Sequence, residues 1–509
     1  MRKSAPYMLA FDIGTNGCKG ILINFDGFLV NKMVIDFQSI TFEQGYIEQD
    51  PMIWWRAIKD ITLTLLKRIE PDDVAGIGIC GTMGTTLPVD KDGRPLRYAM
   101  LYIDPRAVDQ TKKLLEHFDR KDLYNITGNP VSPVYSLPKW MWIMEHEEKI
   151  FRKTSRFLQP KDFLIHKLTS EMGTDFVDAS ATMAFDVKKR VWANEILEYA
   201  GIPLEKMPNP RPSSSISGEL TIEASSELGL KSGTPVIVGC GDTGAILVGS
   251  RAIEDRSATI YLGSAAEINV TTDKPIFDPE ARIPLRCHAI PGKWFNSASA
   301  MTSGTALKWF MNHFAAEGES YAEMDRKAIN VPTGSRGTIF LPYLSGERVP
   351  IWDTEASGAF IGLSTSNDKI SLYKAILEGV AYSLRAIKET YYDIGIDIKK
   401  IRIAGGGAKS RLWKQIIADV LALICIDIEQ PQEISAVGVA KLIAISLGSE
   451  KSFKNALGTA ARIKGFIQPN RSNSALYDEY YRAYLKCYPA LISIMHDLVD
   501  LRDSAEFKK

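Results

Sequence analysis

Two short turns set the constraint that any fold of this chain must meet. Tyr7 to Asp12, a run of mostly apolar residues, ends in the polar turn Gly14 to Gly17 and returns as Gly20 to Asn24. Ser257 to Leu262 ends in Gly263 to Ala265 and returns as Glu267 to Val270. Each reads as strand, glycine and hydroxyl turn, strand. The two lie about half of the 509 residues apart, which points to two similar α/β halves rather than to a short-period repeat. Length agrees, because one hydrophobic core seldom serves so many residues. The charged stretch Arg251 to Ser257 is the expected boundary, with domains over 1–252 and 253–509. Two weaker versions of the theme follow Val74 to Cys80 and Pro235 to Cys240. In the second half, Tyr373, Ile376, Leu377, Val380, Leu384 and Ile387 recur at helical spacing and predict one buried helix face.

Composition removes several function classes. With 61 basic and 61 acidic side chains the net charge is zero, which leaves no electrostatic footprint for nucleic acid or an anionic membrane. The six cysteines are dispersed without a C-x-x-C pair, as expected in a reducing cytoplasm. The most apolar stretch, Ile416 to Ile428, is broken by Asp419 and Asp427, so no membrane span is expected. No P-loop, H-E-x-x-H or G-x-S-x-G motif occurs, and the histidines lack ligand spacing. Small-molecule chemistry in the cytoplasm is the expectation.

Four segments carry that chemistry. In Asp12-Ile13-Gly14-Thr15-Asn16-Gly17-Cys18-Lys19 the glycines let several N–H groups face one anion, and an acid leaving the strand just before can hold Mg2+ through water. An ordinary hairpin with an Asx turn fits the same residues. In Gly239-Cys240-Gly241-Asp242 an acid follows a buried strand, suited either to accept a proton from an attacking hydroxyl or to cap a helix. Leu262-Gly263-Ser264 is a second candidate phosphate turn. Gly405-Gly406-Gly407-Ala408-Lys409-Ser410 joins a strand to a helix and offers bare backbone to a flat ligand or a phosphate. A dinucleotide loop is disfavoured there, since Ser410 stands where the third glycine belongs.

Together these segments resemble the FGGY family of carbohydrate kinases, in the right order over nearly the whole chain. Further agreement comes from Glu48-Gln49-Asp50-Pro51 with Trp54-Trp55, from Lys139-Trp140-Met141-Trp142, from Thr174-Asp175 to Asp178-Ala179-Ser180, and from Gly358 to Leu363 leading to Leu377-Glu378-Gly379. The resemblance implies an α/β fold of two actin-like, ribonuclease H-like domains with a cleft between them, sugar mainly on the N-terminal one and ATP on the C-terminal one. It implies Asp242 as catalytic base, and Asp12 with Asp242 near Mg2+. Gly14, Thr15, Asn16, Lys19, Gly263 and Ser264 are then phosphate-binding. Gly304, Gly406, Gly407, Ala408 and Arg411 are nucleotide-binding, and Thr82, Met83, Asp104 and Asp242 substrate-binding.

The acceptor is the open part. Xylulokinase-like members carry Gln-Met-His-Gly where this chain has Thr82-Met83-Gly84-Thr85, so an imidazole is missing. D-xylulose or a related pentulose is the first expectation, with gluconate, ribulose or another polyol behind it. Glycerol is disfavoured by the lack of an Arg-Glu pair in that loop. A non-catalytic, nucleotide-switched actin-like protein is the alternative of another class, and a homodimer is compatible with the sequence.

Overall fold

The computed structural model describes residues 6–42, 45–448 and 462–503. Contacts divide it into two compact units. The first contains the residues up to Asp255, Thr271–Asn296 and the segment opening at Glu433; the second contains Arg256–Val270, Ser297–Gln432 and the segment opening at Arg462.

One sheet is made of β1 (Tyr7–Ile13), β2 (Gly17–Asn24), β3 (Leu29–Asp36), β4 (Val74–Gly81), β5 (Ile216–Glu219), β6 (Pro235–Ile237) and β7 (Cys240–Gly241). Its order is β5-β6-β4-β1-β2-β3, with β7 beside β4. The other contains β8 (Ala258–Leu262), β9 (Ala266–Thr272), β10 (Trp294–Ala300), β11 (Lys400–Ala404), β12 (Ile424–Ile428) and β13 (Ile463–Ile467), in the order β10-β9-β8-β11-β12-β13. In each, an antiparallel hairpin (β1/β2, β8/β9) is followed across the sheet by parallel partners (β1/β4/β6, β8/β11/β12). The same ribonuclease H-like pattern therefore occurs twice, as the two half-chain turns imply.

The principal helices are, in chain order, α1 (Pro51–Leu65), α2 (Pro160–Thr169), α3 (Phe176–Ser180), α4 (Asp242–Gly249), α5 (Gly304–Phe314), α6 (Lys369–Asp393), α7 (Arg411–Leu421), α8 (Ile434–Ser446) and α9 (Arg471–Asp503). Helix α1 begins at Pro51, because Asp50 accepts from Met52 N and Pro51 occupies the first turn. Helix α6 buries all six residues of the predicted face. Among the described residues no helix is long and apolar enough to cross a membrane.

Period-two alternation divides β1 between two cores. Leu9 and Phe11 pack with Trp54, Ile58 and Ile61 of α1 and Phe163 of α2, whereas Met8 and Ala10 pack with Ala245 and Val248 of α4 and Val439 and Ile443 of α8. Both faces are covered, hence the nearly unbroken apolar run. Helix α8 is buried from Ile434 through Ala444 on every side. It reaches its place through glycines. A Cβ on Gly78 of β4 would stand 2.6 Å from Val439, one on Gly438 2.0 Å from Ala245 O, and one on Gly249 1.9 Å from Ile434 O.

Gly438→Ala places a methyl group against a backbone carbonyl that cannot yield, and should destabilise the protein by about 1–3 kcal/mol or more. Gly465→Ala, with nothing within 4 Å, should be nearly silent. Thermal unfolding of the two variants checks this; equal melting temperatures would contradict the close approach.

Candidate active site

In the first unit the register of three strands builds the site. Asp12 lies opposite Cys80 of β4, and Cys80 lies opposite Cys240 of β7; one step on, Ile13, Gly81 and Gly241 align in the same way. Asp242 follows immediately as the first residue of α4. Two acids separated by some 230 positions in the chain thus emerge at the carboxyl ends of strands with one strand between them. The cysteines are buried, and Asp12 and Asp242 are half-buried. One thiol senses both acids: burial pushes the Cys80 thiol well up, and Asp12, Cys240 and Asp242 push it further. Burial likewise raises Cys18 and Cys240. These thiols stay protonated, and Cys80 Sγ donates to Asp12 Oδ1 at 3.5 Å.

Asp242 does not cap its helix. The cap position is Gly241, and the Asp242 carboxylate accepts from the next amide, Thr243 N, at 2.7 Å. The turn Gly14 to Asn16 is closed by Gly14 N donating to Gly17 O and is anchored from outside, since Phe37 N donates to Asn16 O and Gln49 Nε2 to Thr15 O at 2.7 Å. Gln49 in turn accepts from Trp54 Nε1, which ties the turn to α1. Lys19 lies opposite Asp12 across the hairpin. Thr82 and Met83 follow β4 directly, and Thr82 N donates to Ile13 O. Gly84, where the resemblance predicts a histidine, has φ +76°, a left-handed backbone that glycine adopts without strain.

Asp104 requires a correction. Its Oδ1 accepts from Arg106 N and Nε and its Oδ2 from Ile47 N and Arg106 Nη2, at 2.6–3.1 Å. All four acceptor directions of the carboxylate are taken, and the residue is fully buried. These hydrogen bonds and the Arg106 charge hold its carboxyl below the usual range although burial opposes them. No acceptor capacity is left for a sugar hydroxyl, so Asp104 anchors its loop instead of contacting substrate.

The second unit collects the remaining residues at the ends of the parallel neighbours β8 and β11. Ser303 N and Thr305 N donate to Ser264 O, and Gly304 N to Gly263 O, which fastens the start of α5 onto the Gly263–Ser264 turn. A Cβ on Gly304 would stand 2.5 Å from Gly263 O. The hydroxyls of Thr302 and Ser303 are buried there without hydrogen-bond partners. Gly405, with φ +89°, and Gly407 are needed for packing, their Cβ positions lying 2.5 Å from Leu262 O and 2.6 Å from Trp413. Gly406 is exposed with only Gln432 Nε2 nearby, at 3.9 Å, and so offers open backbone. Ala408 is buried, Arg411 is exposed at the start of α7, and Ser410 caps that helix by accepting from Trp413 N.

Two side chains that the sequence did not single out matter here. Ser435, near the start of α8, donates to Asp12 Oδ2 at 2.5 Å across 423 residues of sequence. Lys161 of α2 is wholly buried among Asp162, Asp175 and Asp178. The small-residue pattern of Ser435, Ala436, Gly438 and Ala440 was the available signal for the first; a lysine after Pro160 offered none for the second.

Comparison with known proteins settles the family. The models for the N-terminal and C-terminal domains of the FGGY family of carbohydrate kinases match residues 7–249 and 258–447. The chain belongs to the FGGY family of carbohydrate kinases. It is 30% identical over 498 residues to a xylulose kinase of Staphylococcus epidermidis, covering 97% of this chain and 99% of that one. It is 28% identical over 458 residues to a gluconokinase of Bacillus subtilis, covering 88% and 89%. The crystal structure of a xylulose kinase from Rhodospirillum rubrum superposes with a TM-score of 0.86 at 28% identity, over 96% of this chain and 100% of that chain. As an FGGY kinase the protein is a phosphotransferase that acts on a sugar with ATP as donor.

Beside the Thr302–Thr305 turn of this kinase, Glu347 is fully buried and accepts from Met301 N, Arg348 N and Ser383 Oγ. Burial pushes its carboxyl from 4.5 up to about 7 against the pull of those donors and of Arg348. The folded state therefore binds the extra proton, so this contribution is complete below about pH 4.5 and is lost as pH rises through about 7, a change of order ~3 kcal/mol. Glu347→Gln keeps the neutral shape, and its melting temperature should fall less than wild type between pH 5 and about 7.5. Parallel melting curves would contradict the assignment.

Proposed function

We propose that the protein transfers the γ-phosphoryl group of ATP to a hydroxyl of D-xylulose or a closely related pentulose, with Asp242 as the general base. The observation that carries this reading is the half-buried Asp242 at the start of α4, sharing one sheet end with Asp12. Near-full-length similarity to xylulose kinases supports the pentulose.

The acceptor hydroxyl attacks the γ-phosphorus in line as its proton passes to the Asp242 carboxylate, and the bond to the ADP oxygen breaks. Thr82 and Met83, on the loop after β4, border the sugar. Backbone N–H groups of Thr15 and Asn16, with Lys19, and of Ser264 offset the phosphate charge, while Gly14 and Gly263 shape the two turns. Gly304, Gly406, Gly407, Ala408 and Arg411 hold the nucleotide, with Gly406 giving the base a bare approach. On this reading residues 1–252 carry the sugar and 253–509 carry ATP. Two half-buried carboxylates at one sheet end suit a hard cation that keeps most of its waters, so Asp12 and Asp242 are the residues that would hold Mg2+. Bound there, Mg2+ supplies neutralisation of charge on the phosphate oxygens. Ser435 and Cys80 keep the Asp12 carboxylate fixed in direction. All six cysteines are free, in keeping with a cytoplasmic enzyme.

The test is a coupled kinase assay over D-xylulose, ribulose, gluconate and glycerol with wild type and Asp242→Asn. D-xylulose should have the highest kcat/KM, by about tenfold or more over gluconate, the scale that a few pocket contacts supply. Asp242→Asn should lower kcat at least about a hundredfold with the KM for ATP nearly unchanged. Preference for gluconate, for which the glycine at position 84 leaves room, would overturn the substrate; retained turnover in the variant would overturn the base.

A further inference from the structure

The turn that delivers Asp242 has almost no side chains of its own. Gly239 has φ +68°, and a Cβ there would lie 2.0 Å from Ile79 O and 3.2 Å from Lys161 Cδ. A Cβ on Gly241 would lie 2.5 Å from Met83 Cγ and Sδ and 3.0 Å from Asp178 Oδ1. What supports the bare backbone is therefore the stem of Lys161, the Met83 side chain and the Asp178 carboxyl.

The charges beneath it are arranged unequally. Lys161 Nζ lies 2.5 Å from Asp162, 3.1 Å from Asp178 and 3.4 Å from Asp175, and all four side chains are fully buried. Burial opposes the ammonium, but three carboxylates outweigh it and hold Lys161 well above its usual range. Asp162 also accepts from Gln159 N in the capping box of α2. Asp175 caps α3 through Val177 N and Asp178 N and accepts from Ser213 Oγ at 2.8 Å. Asp178 does neither: its polar contact is the Lys161 ammonium, 3.1 Å from Oδ2. Burial pushes its carboxyl well up, against the pull of Lys161 and with Asp175 and Asp162 adding to the rise. A buried carboxyl that caps nothing is costly to retain unless its position matters. One oxygen is on the Lys161 side and the other faces Gly241, so the group spans from the ammonium to the residue before Asp242.

We infer that Asp178, clamped by Lys161, is a positioning residue that sets the Gly241 backbone and thereby the direction of the Asp242 carboxylate. The inference rests on the proposed role of Asp242. Its consequence is a loss in the chemical step without a loss in nucleotide binding, because the cluster belongs to the first unit and the nucleotide set to the second.

The experiment uses the full chain with Mg-ATP and the best sugar of the panel, and expresses kcat per nucleotide site counted by calorimetric titration with a nonhydrolysable ATP analogue. Asp178→Ala should lower kcat about tenfold or more, the scale of a small misplacement of a reacting group, with the KM for ATP unchanged. Asp178→Asn, which keeps the shape, should stay within about threefold of wild type. Ser213→Ala removes the hydroxyl that Asp175 accepts from while keeping the Ser213 backbone oxygen that accepts from Gly239 N, and should leave kcat unchanged. Should Asp178→Ala fail to fold, Gly241→Ala, whose methyl would stand 2.5 Å from the Met83 side chain and 3.0 Å from the Asp178 oxygen, replaces it with the same expected loss. Wild-type kcat in Asp178→Ala, or in Gly241→Ala, overturns the inference, as does a loss in Ser213→Ala equal to that in Asp178→Ala. Asp242→Asn run beside them separates the two failures: if it turns over, the base assignment falls; if it is inactive while the Asp178 variants are normal, the positioning role alone falls.

Discussion

A parallel backbone ladder three strands wide underlies the chemistry of this kinase. Hydrogen bonding aligns Asp12 with Cys80 and Cys80 with Cys240, and next Ile13 with Gly81 and Gly81 with Gly241, so that the two acids are brought to one end of the sheet. A loop could hold such acids only loosely. A sheet covered on both faces fixes them through its ladder, and the buried cysteines between them are small enough to let the strands run without side chains crowding the site.

The same economy of side chains recurs wherever backbone must come close to backbone. Helix α8 meets α4 and β4 over glycines, and this brings Ser435 onto Asp12. In the second unit Gly304 and Gly405 close onto Gly263 and Leu262, leaving Gly406 as the open one. Glycines in this chain are therefore of two kinds, those that allow packing and those that leave room for a ligand, and only contact geometry tells them apart.

Much of the fold was legible because its signals are local. Alternation in Tyr7 to Asp12, the hydroxyl and glycine turns, and the helical spacing from Tyr373 to Ile387 need no partner to be recognised. The placement of Asp12 and Asp242 at strand ends is legible for a similar reason, Asp12 closing an apolar run and Asp242 following one. Asp104 comes from the resemblance alone, which does not show that Arg106 folds back onto its carboxylate. Ser435 and Lys161 were missed because their meaning lies in contacts made across the chain, and the residues around Lys161 resemble any capped helix start. Local pattern predicts elements and turns; saturation of a carboxylate, or the lack of it, emerges only with the third dimension.

The most direct measurement is a crystal structure of the protein with D-xylulose and a nonhydrolysable ATP analogue in the presence of Mg2+. The account predicts an acceptor hydroxyl about 2.6–3.2 Å from an Asp242 oxygen, with the cation joined to Asp12 through water. A sugar seated away from Asp242, or a cation with no link to Asp12, would contradict it.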